Sequence, residues 1–353
     1  MKKVTGLLLA LVMIVTLFAG CQPADAPPAE TPPPADTSTD APAPPPEEQE
    51  PDKELTFGYI AWNMKDEWNQ YGEEAFRWVA EKKGVKVVSE DGKNSPEEQV
   101  KIAEGFINQG VDAISLFPCT PEVGATIVRM CNEANIPIAI ENIFLPEDGS
   151  AGNFVGQVAC QYNDIGYAAI QYVAEKFPGA KLFYCAGSVG MGVYESYKIG
   201  VDQALEDFAG KVELVETLHG DWETEKSMQV TQDFIATGKE FDVIFANNDL
   251  QARGCYNALK EAGMEDIPVI STGGAPVGLD MIREGTQYAN MTAPVNIQGL
   301  IVFRFLWQAV NGVTPPETKI PLPVIPVDVS NIDTAISWDN NDGALEYIGG
   351  IEP

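Results

Sequence analysis

The hydrophobic pattern after Leu55 alternates between short apolar runs and longer stretches with helical spacing. Apolar runs such as LTFGYIAW at 55–62 and VDAISLFP at 111–118 predict buried strands. Between two such runs, WNQYGEEAFRWVAEKKG at 68–84 repeats its apolar side chains at helical spacing and ends at a glycine, which predicts an amphipathic helix. Strands separated by helices of about 12 to 16 residues indicate a parallel sheet with right-handed crossovers.

A second helix is predicted from its start signal. In SPEEQVKIAEGFINQG, Ser95 can cap the helix, Pro96 takes the first helical position and Glu98 follows three residues after the cap. The same rhythm of strands and helices restarts near Asn153 and continues to IPVIST at 267–272. The sequence therefore predicts an α/β protein with two similar halves.

The first 53 residues have a different composition. MKKVTGLLLALVMIVTLFAGC has two lysines, a short apolar run and small residues before Cys21, so we expect residues 1–20 to be a cleaved signal peptide. The segment resembles the bacterial lipoprotein signal, which implies that Cys21 is lipidated; an ordinary secretory signal is the alternative. Residues 22–53 contain eleven of the 26 prolines and no large apolar side chain. Together with Cys21 they form the segment 21–53, which we predict to be an extended, disordered tether.

Charge and reactive side chains exclude several function classes. The net charge is −30, from 22 Lys and Arg against 52 Asp and Glu, and most of it lies after residue 53. This charge repels phosphate backbones, so we expect no nucleic-acid partner. His219 is the only histidine and no nucleophile motif accompanies it, so we expect neither a metal site, nor a cofactor, nor an enzyme.

The order of motifs after Leu55 resembles the ribose-type sugar-binding proteins of bacterial uptake systems. The resemblance rests on DGKNSPEEQVKIAEGFINQGVDAI, NEANIPIAIEN, NDIGYAAIQYVAEKF and FDVIFANNDLQARGCYNALKEAG. It implies the type I periplasmic-binding-protein fold: two Rossmann-like lobes, each a parallel sheet flanked by helices, joined by a three-segment hinge. Lobe 1 would comprise 54–158 and 294–323, and lobe 2 would comprise 159–293 and 324–353.

The resemblance also implies that ligand binds in the cleft between the lobes. Trp62 and Asn63 follow the first strand, where α/β sheets bind ligands, and a tryptophan face can stack on a sugar ring. Trp68 either stacks as well or packs in the core. The other positions that the resemblance places in the site are Glu141, Asn142, Cys160, Tyr162, Glu195, Trp222, Asn248 and Gly273; a small shift of the alignment would replace Glu195 by Tyr194 or Tyr197.

The family usually has Asp-Arg where this chain has Glu141 and Asn142, and an Arg where it has Glu195, and these substitutions change the expected ligand. Glu141 and Glu195 without a matching arginine would favour a neutral polyol or an amine over an anion, because unpaired buried carboxylates repel an anion strongly. If Glu195 faces solvent instead, only Glu141 supports this inference about the charge of the ligand.

We therefore expect an exported solute-binding lipoprotein, held by its lipid on the outer face of the cytoplasmic membrane. It would capture a sugar, polyol or amino sugar by hinge closure, act as a monomer and deliver the ligand to an ABC permease. The alternative is a sensory receptor for a sugar-like signal, of the furanosyl autoinducer type, coupled to a kinase or chemoreceptor.

Overall fold

The structure, a computed structural model, describes residues 54–190 and 192–352. The expected signal peptide at 1–20, the lipidation site Cys21 and the tether at 21–53 lie outside the described residues. Every described residue belongs to one compact unit, Asp52–Pro353, which contains two six-stranded sheets.

The first sheet is parallel throughout. Its strand order is β11-β5-β4-β3-β1-β2, and the strands are β1 Thr56–Ala61, β2 Lys86–Asp91, β3 Ala113–Leu116, β4 Ile138–Glu141, β5 Gly156–Cys160 and β11 Lys319–Leu322. The central strands are buried on both faces, as their continuous apolar runs predict for a sheet covered by helices on both sides.

The second sheet repeats this arrangement with one antiparallel edge strand. Its order is β12-β10-β9-β8-β6-β7, and β12 runs antiparallel to β10. The strands are β6 Ala180–Ala186, β7 Val212–His219, β8 Val243–Ala246, β9 Val269–Gly273, β10 Ala289–Thr292 and β12 Ile325–Asp328. The expected fold class, two Rossmann-like lobes with parallel sheets, is confirmed.

Helices cover both faces of each sheet. Those of the described residues are α1 Glu67–Lys82, α2 Pro96–Gln109, α3 Pro121–Glu133, α4 Tyr162–Lys176, α5 Val193–Asp207, α6 Thr224–Ala236, α7 Asp249–Glu261, α8 Pro276–Glu284, α9 Val295–Val310 and α10 Asn341–Tyr347. In lobe 1, α1 packs with α9 and α2 with α3; in lobe 2, α4 packs with α5 and α6 with α7. None of the helices in the part of the chain that the structure describes combines the length and apolar character needed to cross a membrane.

The predicted start of α2 has the expected geometry. Ser95 is extended, its hydroxyl oxygen accepts a hydrogen bond from the Glu98 backbone N–H at 3.2 Å, and Pro96 opens the helix. Gly110 ends the helix at φ 70°, a left-handed conformation that glycine adopts without strain. Local sequence signals alone are sufficient to define this helix.

Within the described residues, the chain passes between the lobes four times. The first three passages follow β5, β10 and β11. After β12 and a short 3-10 helix, Ile332–Thr334, the chain returns to lobe 1, where α10 packs against α9. The assignment of all of 324–353 to lobe 2 therefore needs correction at its end, because Ala344 and Ile351 are buried there and Arg304 of α9 donates a 2.9 Å hydrogen bond to the Ile348 carbonyl.

Candidate functional site

A cavity of about 630 Å³ lies between the lobes, at the carboxyl ends of the parallel strands. The loops that follow β1, β3 and β4 line it from lobe 1, and the loops that follow β7, β8 and β9 line it from lobe 2. This is the edge at which open α/β sheets bind small molecules, and the volume is within the usual range for ligand pockets.

The lobe 1 wall is mainly aromatic. Trp62 lines the cavity, its Nε1 donates to Asn94 Oδ1 at 2.7 Å, and its ring lies 6.1 Å from that of Phe117 between centroids. The loop is held from below by Asn69, whose Oδ1 accepts hydrogen bonds from the Trp62 and Asn63 backbone N–H groups at 3.0 and 3.3 Å. Trp62 and Asn63 are therefore fixed at the cavity surface.

Trp68 lies deeper in the same wall. It lines the cavity and also packs edge-on against Trp338, with ring centroids 5.2 Å apart and an interplanar angle of 89°. Its Nε1 is buried without a hydrogen-bond partner among the described residues. The two alternatives for Trp68, cavity contact and packing, are thus both compatible with its position.

Two expected residues meet at the first passage between the lobes. Asn142, at φ 71°, and Tyr162 both line the cavity, and the Tyr162 hydroxyl donates to Asn142 Oδ1 at 2.7 Å. The Tyr162 ring also lies 5.3 Å from that of Tyr197 in lobe 2, between centroids. A change of the hinge angle would act directly on these side chains.

The lobe 2 wall contains Trp222 and Asn248. Trp222 has φ 68° and its ring covers Gly187 so closely that a Cβ at position 187 would come within 2.0 Å of it. Asn248 caps α7: its Oδ1 accepts from Gln251 N at 2.7 Å, and its Nδ2 donates to the Trp222 carbonyl at 3.3 Å. Asn248 thus positions the tryptophan and the helix as well as lining the cavity.

Asn247, which sequence reasoning missed, is the centre of a hydrogen-bond network behind this wall. Its Oδ1 accepts from the Tyr184 hydroxyl at 2.9 Å and from Gly187 N at 2.8 Å. Its carbonyl accepts from Thr272 Oγ1 at 2.6 Å, and Thr272 shares a 2.8 Å hydrogen bond with Tyr197. Asn247 lines the cavity, and its Nδ2 is buried without a hydrogen-bond partner among the described residues.

Asp249 was also missed, although it follows Asn248 directly. The carboxylate accepts hydrogen bonds from Ser271 Oγ and Asn290 Nδ2 at 2.5 Å and from Ala275 N at 2.8 Å. Burial raises its pKa to about 6, although these hydrogen bonds oppose the shift. Asp249 therefore organises the lobe 2 wall from within.

Three expected contacts are not among the residues that line the cavity: Glu141, Cys160 and Glu195. Glu141 ends β4, but it is 2% exposed and lies beside Tyr59 and Glu73 in the interior of lobe 1. Cys160 ends β5 and is buried in the core. Successive strand residues point to opposite faces of a sheet, so a residue at the end of a strand can point away from the cleft.

Glu195 instead closes the turn before α5. Its carboxylate accepts hydrogen bonds from Gly190 N at 2.6 Å and Gly192 N at 2.9 Å, and these bonds lower its pKa. The neighbouring alternative Tyr197 lies in the cavity wall. The inference from the charges of Glu141 and Glu195 to the ligand must therefore be withdrawn.

Gly273 lines the cavity next to an unexpected residue. It ends β9 at φ 115°, and its carbonyl accepts a 2.8 Å hydrogen bond from Trp338 Nε1. Trp338 is 6% exposed and also lines the cavity. It lies beyond the stretch that carried the resemblance, so no motif could have indicated it.

Carboxylates outnumber cations around the cavity. Of the residues that the structure describes, two basic ones, Lys65 and Arg253, line it, together with six acidic ones: Asp66, Glu67, Asp221, Glu223, Glu225 and Asp249. Asp221 is paired with Lys226, and burial raises the pKa of Asp66. The field in the cleft thus disfavours anionic ligands.

Comparison with known proteins identifies the family. The sequence profile of the periplasmic binding protein domain matches residues 57–314. The chain belongs to this family. It is 27% identical over 207 residues to the ribose import binding protein of Escherichia coli (strain K12), covering 58% of this chain and 68% of that protein. It is 25% identical over 254 residues to the galactofuranose-binding protein of the same organism, covering 69% and 79%.

A solved structure shows the same fold. The ABC transporter periplasmic solute binding protein from Actinobacillus succinogenes 130z, with bound D-allose, superposes with a TM-score of 0.73 at 20% sequence identity. The match covers 80% of this chain and 100% of that one. Characterised members of the periplasmic binding protein family with these similarities are binding proteins rather than enzymes.

Proposed function

We propose that this protein captures a sugar or polyol in the interlobe cavity and delivers it to an ABC permease. The observation that carries the proposal is the position of the cavity: aromatic and polar side chains of both lobes line it, where the chain passes from one lobe to the other. A ligand held by both walls stabilises the closed arrangement, and a permease can recognise that arrangement.

The side chains of the cavity support a neutral ring-shaped ligand. Trp62 and Trp222 offer apolar faces from opposite lobes, and Asn247 and Asn248 line the same cavity with polar side chains. The excess of acidic residues argues against sugar phosphates and sugar acids. An amino sugar remains compatible through Asp66 and the acidic loop at 221–225, rather than through Glu141 or Glu195.

We further propose that the protein is exported and then lipidated at Cys21, which would hold it on the outer face of the cytoplasmic membrane. We propose that it works there as a monomer. The support is the sequence of residues 1–53. Metabolic labelling with an alkyne fatty acid tests this part: the wild-type protein should take up label, and Cys21→Ala should not. Equal labelling of both proteins would contradict lipidation and leave ligand binding untouched.

A ligand screen tests the central proposal. The chain from residue 22 would be heated with D-ribose, D-allose, xylitol, myo-inositol, galactofuranosides and glucosamine. A ligand at 100 times its Kd should add about 2.7 kcal/mol to stability and raise Tm. The matched control is Trp62→Ala/Trp222→Ala, which should lose the shift. If no compound raises the Tm of the wild type, these compounds are excluded as ligands and the proposal is contradicted for all of them.

Measuring ligand uptake by cells distinguishes a transport protein from the alternative, a sensory receptor. No observation on the cleft favours the receptor. Cells that lack the protein should lose high-affinity uptake of the identified ligand and regain it with the wild-type gene. Unchanged uptake together with a lost transcriptional response to the ligand would favour the receptor.

A further inference from the structure

Trp338 is held by both lobes at once. On the lobe 2 side, its Nε1 donates to the Gly273 carbonyl at 2.8 Å. On the lobe 1 side, its ring packs edge-on against Trp68 and Tyr71, with centroids 5.2 and 5.7 Å away. The side chain is 6% exposed and forms part of the cavity wall.

The backbone around Trp338 is fixed as well. Asn296, at the start of α9, is fully buried and donates from Nδ2 to the carbonyls of Ser337 at 3.0 Å and Asn340 at 3.2 Å. Before this point the chain belongs to lobe 2, where Ile332 packs with Leu279 and Val327. After it, α10 packs on α9. Residues 335–340 thus form a fourth interlobe segment, with Trp338 at its middle.

The ring takes space that residue 273 would otherwise use. A Cβ on Gly273 would come within 2.9 Å of Trp338 Cζ2, and φ 115° further disfavours any side chain there. The wall beside β9 is therefore supplied by a residue 65 positions later in the sequence.

We propose that Trp338 is a ligand-contacting residue that limits the size of the ligand and ties the two lobes together. The first part of this inference, that Trp338 contacts the ligand (the ligand half), rests on the proposed function. The second part, that Trp338 ties the lobes together (the lobe half), does not. The indole ring of Trp338 reduces the space in the cavity next to the interlobe segment. Its hydrogen bond to the Gly273 carbonyl of lobe 2 must change when the lobes move relative to each other.

The test compares Trp338→Ala and Trp338→Phe with wild type and with Trp78→Phe. Trp78, on α1, packs under Lys82 and does not line the cavity, so its variant controls for loss of an indole. Trp338→Phe keeps a ring but loses the N–H donor, and remains informative if the alanine variant fails to fold. Circular dichroism melts establish folding.

The ligand half is measured by calorimetry with D-ribose, D-allose, myo-inositol and the disaccharide trehalose. We expect the best wild-type ligand to bind at least tenfold more weakly to Trp338→Ala and severalfold more weakly to Trp338→Phe. The ratio of affinities should shift toward the larger compounds. Affinities within twofold of wild type for all four compounds would overturn ligand contact.

The lobe half is measured without any ligand, by small-angle X-ray scattering. We expect a larger radius of gyration for Trp338→Ala than for wild type and Trp78→Phe. An unchanged radius would overturn the tie between the lobes. If no compound binds the wild type, the proposed function and ligand contact both fail, and the scattering result alone decides whether Trp338 joins the lobes.

Discussion

Each wall of the cleft has a buried carboxyl group behind it, and the two groups are satisfied in different ways. Asp249, behind the lobe 2 wall, accepts three hydrogen bonds from Ser271, Asn290 and Ala275. Glu141, behind the lobe 1 wall, is equally buried, but its Oε1 has no hydrogen-bond partner among the described residues. Burial raises both pKa values, to about 6 and about 7.

The difference indicates that the walls have different roles. The hydrogen bonds of the Asp249 carboxylate join β9, β10 and the start of α8 to the start of α7, so the polar groups of lobe 2 are preorganised. Lobe 1 presents aromatic faces on a loop fixed mainly by Asn69, and its buried carboxyl group lacks such a set of hydrogen bonds. Orientation of a ligand should thus come from lobe 2 and much of the contact area from lobe 1.

The largest effect is expected from breaking the Asp249 network. Asp249→Ala would leave the Ser271 hydroxyl and the Ala275 N–H without this acceptor, and Asn290 Nδ2 with Ser271 Oγ alone, which should destabilise the protein by about 3 to 5 kcal/mol. Urea unfolding measures the loss. Asp233→Ala, at an exposed position on α6, is the control and should change stability little. A loss below about 1 kcal/mol at position 249 would show that the network does not organise the wall.

Replacing Glu141 should raise the stability of the protein instead of lowering it, and only at pH values above about 4.5. Because its folded pKa of about 7 exceeds the usual 4.5, its protonated form is the stable one in the fold. Stability should fall as pH rises from about 4.5 to 7, by about 3 kcal/mol. Glu141→Gln should remove this fall and be more stable than wild type at pH 7.5.

Urea unfolding at pH 4.5, 6 and 7.5 measures the Glu141 effect. Glu133→Gln, at an exposed site, should keep the pH dependence of the wild type. Parallel curves for wild type and Glu141→Gln would mean that Glu141 is ionised in the fold at no cost.

The aromatic faces should affect binding rather than folding. Trp62→Ala and Trp222→Ala should each weaken ligand binding by about 1 to 3 kcal/mol, since a ring face in a desolvated cleft carries much of the affinity. Gly187→Ala should resemble Trp222→Ala, because the new methyl group must displace the ring. Calorimetry with the best ligand of the screen measures this. Unchanged affinity in all three variants would place the ligand elsewhere.

Glu195 should give the smallest effect. Its carboxylate is occupied by Gly190 and Gly192, so Glu195→Gln should cost about 1 kcal/mol of stability or less. Neutral and amine-bearing ligands should bind the variant as they bind wild type. A selective loss of amine binding, seen by calorimetry, would restore Glu195 to the cleft and refute the position described here.

Individual residues show which parts of the site could be predicted from the sequence. Trp62, predicted from its place just after a strand of an α/β sheet, and Trp222, predicted from the resemblance, both line the cavity. Glu141 and Cys160 are also at strand ends, but the face to which a strand's last side chain points depends on its register in the sheet. That register is a property of paired strands.

The sequence by itself determined the elements, their order and the edge of the sheets at which the cavity lies. These follow from apolar periodicity, from helix start and stop signals such as Ser95 and Gly84, and from the parallel sheets that alternating strands and helices imply. Only the tertiary structure decided that residues 335–340 cross back to lobe 1 and place Trp338 against Gly273. That placement depends on contacts between residues far apart in the chain, with Asn296, Trp68 and Gly273, and no local pattern encodes such contacts.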